Sequence, residues 1–192
     1  NYDEALSWES LEKIAAREAD RANGPTNSHA QTRLFGKKQK DIRITLYRDH
    51  HAWCPYCQKV WIWLELKQIP YQVKKVTMRC YGNKELWYLR KVPSGMLPAL
   101  EIDNNLITES DQILLKLEKS FGPLGTPLEN PQAMKLRRLE RQLFRAWCQW
   151  LCTPGLNSKQ ESWYKEQFQI VASNFELEIK RTNSPWIDPL FK

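Results

Sequence analysis

The chain has 192 residues, 42% of them hydrophobic and 27% charged, which is the composition of a globular protein with a core, divided into one long domain or two short ones. No apolar run approaches the roughly 20 residues that a membrane-spanning helix needs, and the first residues carry no basic segment followed by an apolar one, so no membrane partner and no secretory signal is expected. The net charge of +7 is spread over Arg17, Lys37, Lys38, Lys40, Lys74, Lys75, Arg137, Arg138 and Arg141 without a nucleic-acid recognition motif, and the odd count of 5 cysteines argues against a disulfide-stapled scaffold and for a reducing compartment.

Taken in order, Leu6, Leu11, Ile14 and Ala15 fall near helical spacing and predict an amphipathic helix from Leu6 to about Arg21, with Ser7 or Ser10 as its N-cap. Asn23 to Lys40 has little periodicity and contains Gly24, Pro25, Asn27, Ser28 and Gly36, so it is expected to be a linker or a strap docked on the main body. Residues 42–47 alternate and predict a first strand, followed by Trp53-Cys54-Pro55-Tyr56-Cys57 and an apolar helix through Val60, Trp61, Trp63 and Leu64 that ends near Gln68 and Pro70. Tyr71–Val76 predicts a second strand, parallel to the first. A short helix over Lys84–Arg90 leads to two strands within 101–107, joined at Asp103-Asn104, and to a helix opened by Thr108-Glu109-Ser110-Asp111. A connector with Gly122, Pro123, Gly125, Pro127, Asn130 and Pro131 then separates two further helices, Gln132–Leu151 and Glu161–Ile179. The expected organisation is an N-terminal helix and arm at 1–41, an α/β thioredoxin-like domain at 42–120, a linker at 121–131 and an all-α helical domain at 132–192.

A CxxC at a strand-to-helix junction reads as a thiol site. Unpaired N–H groups and the dipole at the helix start favour a thiolate at Cys54, and Pro55 fits the first turn, where a missing N–H costs nothing. Cys57, one turn on, could resolve a mixed disulfide formed at Cys54, although a second low-molecular-weight thiol can release the enzyme without it. The competing readings are an inert buried pair and a zinc site completed by Cys148 and Cys152; the redox reading, with no metal, is the stronger. Leu97-Pro98 is expected to be a cis-proline opposite the thiol, its backbone free to pair with an extended peptide. Glu109 and Ser110 are read either as capping residues or as a matched pair for an ammonium and a carboxylate. Trp53, Tyr56, Trp147, Cys148 and Trp150 are read either as core or as the lining of an acceptor pocket for a flat apolar ligand.

Cys54-Pro55-Tyr56-Cys57, Pro93-x-Gly95-x-Leu97-Pro98-Ala99-Leu100 and Leu106-Ile107-Thr108-Glu109-Ser110, in this order, resemble the N-terminal half of a cytosolic-type glutathione transferase. Within that superfamily the chain is similar to the cysteine-containing omega, lambda and dehydroascorbate reductase classes, and the CPYC form looks most like the iota class of cyanobacteria, algae and lower plants. The resemblance implies a glutathione site in which Cys54 faces the glutathione sulfur, Leu97 beside Pro98 pairs with its cysteinyl backbone, Glu109 and Ser110 hold its γ-glutamyl end, and Lys84 reaches its glycyl carboxylate. It also implies thiol transfer or deglutathionylation rather than conjugation, a small hydrophobic or glutathionylated acceptor, a homodimer, and a cytoplasmic or plastid setting. Two other functions stand beside it: a non-catalytic module binding glutathione, a hydrophobic ligand or a protein, and a dithiol disulfide reductase or isomerase using both Cys54 and Cys57. The chain departs from the family at Val92, where Asn is usual, and in its long segment before Ile42. The family's later helices and its Ser/Thr-x-x-Asp capping box, expected after Asn183-Ser184-Pro185-Trp186, do not appear before Lys192.

Overall fold

The computed structural model describes residues 7–10, 29–182 and 187. Within the first of these segments Trp8–Ser10 is helical and the Ser10 N–H donates to Ser7 Oγ at 3.2 Å, the bond an N-cap serine makes; the rest of the predicted N-terminal helix lies outside the described residues. The chain divides into two compact units, Asn1–Leu117 and Glu118–Lys192.

The first unit is built on a five-stranded sheet of order β1-β3-β2-β4-β5. Its strands are β1 (Thr32–Arg33), β2 (Ile44–Asp49), β3 (Tyr71–Val76), β4 (Ala99–Ile102) and β5 (Asn105–Thr108). Three helices accompany them: α1 (Pro55–Leu66), α2 (Leu86–Lys91) and α3 (Ser110–Phe121). β2 runs parallel to β3 and antiparallel to β4, and β4 pairs antiparallel with β5. The central β2 is buried along almost its whole length, including Arg48 and Asp49, whereas β3 keeps the alternation of a half-buried strand, with Tyr71 and Val73 inside and Gln72 outside. α1 places Cys57, Val60, Trp63 and Leu64 inward at helical spacing; each large apolar side chain buried there stabilises the unit by about 2 kcal/mol.

Several elements of the first unit differ from the sequence expectations. β2 begins at Ile44, not residue 42, because a 3-10 turn over Gln39–Asp41 precedes it and the Arg43 side chain reaches out to the Asp103 carboxylate. α1 stops at Leu66 because Gln68 adopts φ 51, a left-handed conformation that a helix cannot continue through. The two strands expected within 101–107 extend to Ala99–Ile102 and Asn105–Thr108, while the turn between them is the expected one, with Asp103 (φ 49) and Asn104 (φ 65) both left-handed, which Asp and Asn tolerate better than other non-glycine residues. The arm adds an unforeseen strand: β1 pairs antiparallel with β3 through Thr32↔Gln72 and Arg33↔Tyr71, and two residues are too few to show alternation. Arg33 fixes this edge. Its Nε and Nη2 each donate to the Glu65 carboxylate at 2.9 Å, Tyr71 Oη donates to the same carboxylate at 2.6 Å, and the guanidinium lies 4.7 Å from the centre of the Phe35 ring. Burying an arginine is tolerable only when it is paired in this way.

The second unit contains α4 (Pro131–Leu151) and α5 (Ser158–Thr182). Asn130 caps α4 by accepting the Gln132 N–H at 2.8 Å, with Pro131 in the first turn. α5 starts earlier than the apolar periodicity predicts, because Asn157 and Gln160 exchange backbone-to-side-chain bonds of 2.9 and 3.1 Å in a reciprocal cap. Glu178 joins the two helices through Lys135 at 2.9 Å, and Trp150 packs on Phe168 with ring centres 5.4 Å apart. The last turn of α3 belongs to this unit: the Glu118 carboxylate accepts the Leu128 N–H at 3.0 Å, and Lys119 pairs with Glu129.

Candidate active site

The sheet register gathers the candidate residues of the first unit at one end of the sheet. Asp49 pairs with Val76 and Tyr47 with Ala99, and Ala99 pairs with Thr108. The loop to Cys54 leaves the end of β2, Thr77 and the segment bearing Lys84 leave the neighbouring end of β3, Pro98 enters β4 there, and Glu109-Ser110 leave β5 there. Four connections therefore meet beyond the C-terminal ends of the parallel strands, where open α/β sheets bind ligands.

Cys54 is the N-cap of α1, with φ −70° and ψ 112°, and its Sγ accepts the backbone N–H of Cys57 at 3.4 Å. Both cysteines are buried. The hydrogen bond from the Cys57 side chain, together with backbone N–H groups of Cys57 and Tyr56, lowers Cys54 from the ordinary thiol value of 9.0 to about 7, against the opposing effects of burial and the Asp49 charge. Cys57 is pushed strongly upward by the same hydrogen bond, by burial and by the charge of Cys54. The pair is thus divided into a thiolate at the helix start and a protonated thiol beneath it, a division that sequence reasoning places on helix-end electrostatics alone and the structure also places on Cys57.

The Leu97–Pro98 bond is cis, and Leu97 packs on the core cluster of Tyr47, Val76, Tyr88, Val92 and Ala99. Tyr88 Oη donates to the Met96 carbonyl at 2.6 Å and so anchors the segment before the proline. Glu109 is exposed and left-handed at φ 67, an uncommon conformation for a non-glycine residue, and Ser110 is the buried first residue of α3. Asp111, next along, pairs with Lys59 of α1 at 2.5 Å, which ties the start of α3 to the helix that carries the thiols.

Lys84 is less free than an exposed helix-start lysine. Its Nζ donates to the Thr77 carbonyl at 2.8 Å and lies 5.8 Å from the Tyr88 ring centre, and burial lowers its pKa while the charges of Glu85, Cys57 and Cys54 oppose that. The neighbouring Glu85 carboxylate accepts from the Thr77 N–H and hydroxyl and faces His50 Nε2 at 3.5 Å.

Trp53 and Tyr56 flank the thiol and are 67% and 41% exposed. Trp53 forms a cluster with His51 and Tyr81, the ring centres 4.5–5.4 Å apart. Trp147, Cys148 and Trp150 lie on α4 in the second unit, where Trp147 packs on Phe144. Sequence reasoning missed three residues of the site. Asp49 is fully buried and its Oδ2 accepts the Trp53 N–H at 2.7 Å; Arg48, also fully buried, lies 4.5 Å from the Trp61 ring centre; Gln58 donates to the Ala52 carbonyl. A charged Arg-Asp pair at the end of an otherwise apolar strand is the signal that could have found the first two. Among the described residues no three His, Cys, Asp or Glu side chains cluster as a metal site, and no helix is long and apolar enough to cross a membrane.

Residues 53–120 match the family model described as glutathione S-transferase, N-terminal domain. Over 78 residues the chain is 38% identical to glutathione S-transferase DHAR3, chloroplastic, of Arabidopsis thaliana, an alignment covering 40% of this chain and 29% of that protein. Over 72 residues it is 38% identical to glutathione S-transferase L3 of the same plant, covering 36% and 30% of the two chains. The chain thus matches under a third of the length of these relatives. Among solved structures it is similar to glutathione transferase Omega 3C from Trametes versicolor, with a TM-score of 0.63 at 21% identity over 93% of this chain and 69% of that one. It is also similar to glutathione transferase URE2P6 from Phanerochaete chrysosporium, in complex with oxidized glutathione, with a TM-score of 0.57 at 16% identity over 79% and 74% of the two chains. The fold is that of the glutathione transferases: a thioredoxin-like domain followed by a helical one.

Proposed function

We propose that this chain, whose residues 53–120 match the glutathione S-transferase N-terminal domain model, belongs to a glutathione-dependent thiol transferase that uses Cys54 as its nucleophile. The observation that carries the reading is the state of Cys54: a helix N-cap thiol, hydrogen-bonded by Cys57 and lowered to about 7, so that a large fraction is thiolate at neutral pH. A serine or tyrosine hydroxyl at this place could only polarise the glutathione thiol. A cysteine can itself exchange disulfides.

In the proposed reaction the Cys54 thiolate attacks the glutathionyl sulfur of a mixed disulfide between glutathione and an acceptor. The acceptor–sulfur bond breaks, and the acceptor leaves as a thiolate that takes a proton from solvent. A second glutathione thiolate then attacks the glutathionyl sulfur on Cys54, which forms oxidised glutathione and returns Cys54 as thiolate. Glutathione is the co-substrate. Leu97 would pair with its cysteinyl backbone, Glu109 and Ser110 would hold its γ-glutamyl group, and Lys84 would take its glycyl carboxylate by exchanging its bond to the Thr77 carbonyl. Trp53 and Tyr56 would line the acceptor side in the first unit. The plant relatives named chloroplastic and cytosolic support a cytoplasmic or plastid setting. Trapping tests the reading: incubation of the Cys57→Ser variant with oxidised glutathione should add one glutathionyl mass at Cys54, and a Cys54→Ser variant should not gain that adduct at the site.

A second reading, a binding module on the same fold, is favoured by the exposed His51–Trp53–Tyr81 aromatic cluster. It predicts ligand-dependent quenching of Trp53 fluorescence with no thiol exchange.

A further inference from the structure

Cys148 and Cys152 take no part in the proposed reaction. Both are free thiols of the second unit, Cys148 half-buried and Cys152 exposed. Cys152 is the C-cap of α4, and its N–H donates to the Cys148 carbonyl at 2.9 Å, so the helical ladder still runs here and sets the two side chains one turn apart on one face. The thiols reach each other. Cys148 is pushed up by burial, by the charge of Cys152 and by a side-chain hydrogen bond between the two, against the charge of Arg141 two turns back.

This pair is built neither as a nucleophile nor as a disulfide. The negative end of a helix dipole disfavours a bare thiolate, which is the reverse of the setting of Cys54. One turn of intact helix holds Cβ atoms about 5–6 Å apart, whereas a disulfide needs about 3.5–4.5 Å. An ion between the two sulfurs removes that mismatch, because two metal–sulfur bonds of about 2.3 Å each span the gap without unwinding the helix.

The character of the ion follows from the ligands. Thiolates select soft metals, monovalent copper and zinc among them. Zinc takes four ligands in a structural site, and among the described residues no three His, Cys, Asp or Glu side chains cluster to hold a metal. Monovalent copper is satisfied by two thiolates. The C-terminal end of the 21-residue α4 attracts a cation, and the Arg141 charge that favours the Cys148 thiolate offsets the single negative charge of the loaded pair. On the flank, Leu151 is exposed and the Trp147 ring packs on Phe144 with centres 6.0 Å apart, an apolar border that favours a weakly hydrated ion.

We infer that Cys148 and Cys152 form a two-coordinate thiolate site for monovalent copper at the C-terminal end of α4. On binding, each thiol gives its proton to solvent and each sulfur donates a lone pair to the ion; no electron is transferred. The site lies in the second unit and stands independently of the thiol-exchange reading of Cys54.

The test uses the full chain carrying Cys54→Ser and Cys80→Ser, titrated without oxygen into the monovalent copper complex of bicinchoninate, whose colour reports the copper it keeps. One copper per chain should be withdrawn, with a thiolate-to-copper absorption band rising in the ultraviolet. Cys148→Ser and Cys152→Ser, each added singly, should both weaken the binding about a hundredfold, since a lone thiolate forms no chelate. No withdrawal of copper, or weakening by only one of the two serines, overturns the inference. Zinc held as tightly as copper, read with a zinc indicator, overturns the two-coordinate assignment. Should the substituted chain fail to fold, iodoacetamide labelling of the unsubstituted protein with two equivalents of copper decides, read by peptide mass. Joint protection of Cys148 and Cys152 while Cys80 is still labelled supports the site, and labelling of Cys152 as fast as in the copper-free protein contradicts it.

Discussion

The backbone N–H of Cys57 points at Cys54 Sγ across 3.4 Å, so the turn of helix that buries one thiol prepares the other as a nucleophile. Two cysteines of one motif should therefore differ sharply in reactivity. In the reduced protein, alkylation of Cys54 by iodoacetamide should rise with pH through a midpoint of about 7, and Cys57 should stay unmodified until the protein unfolds. Peptide mapping after timed alkylation checks both.

The same shift links to stability. The folded pKa of Cys54 lies below its unfolded value, so the thiolate contributes stability that is fully present above about pH 9 and is lost as the pH falls through about 7. The stability difference between the parent and Cys54→Ser should accordingly grow in the parent's favour across that window. Denaturant titrations at its two ends measure it.

Glu65 gathers Arg33, Tyr71 and Trp61 onto one carboxylate and joins the arm to the helix of the thiols. Glu65→Ala would leave the Arg33 guanidinium, 8% exposed, buried without its counter-charge, and should cost about 3 kcal/mol. Arg33→Ala leaves a carboxylate that is 31% exposed and keeps its Tyr71 bond, so it should cost less, about 1.5 kcal/mol. Urea unfolding of the two variants tests the order.

Gly95 sits at φ +64, and a Cβ there would meet Lys84 Cδ at 3.1 Å and Leu89 Cδ2 at 3.2 Å. Gly95→Ala should destabilise the first unit by about 1–2 kcal/mol through the left-handed backbone alone. It should also displace the lysine stem. If Lys84 takes the glycyl carboxylate, glutathione affinity by calorimetry falls in Gly95→Ala as it does in Lys84→Ala, and it falls about tenfold in Ser110→Ala for loss of one charge-assisted bond.

Much of this architecture is written in short-range chemistry. Cys54 before Pro55 is a helix start at any level of description, Asp103-Asn104 is a left-handed turn because both side chains tolerate φ > 0, and the alternation of β3 shows in buried Tyr71 and Val73 against exposed Gln72 and Lys74. The residues that escaped sequence reading act at long range. Thr32-Arg33 is a strand only because β3 offers an open edge, and Asp49 joins the site only because its carboxylate accepts the Trp53 N–H in the loop before Cys54. The acceptor side is not legible from Trp147, Cys148 and Trp150, since aromatic residues at helical spacing look the same whether they serve a core or a ligand.

The measurement that tests the central claim most directly is turnover of a small glutathione mixed disulfide, coupled to glutathione reductase, in the parent, Cys54→Ser and Cys57→Ser proteins. Abolition by Cys54→Ser with turnover retained in Cys57→Ser is the predicted result. Equal turnover in Cys54→Ser and the parent, or none in a parent that binds glutathione, would contradict it.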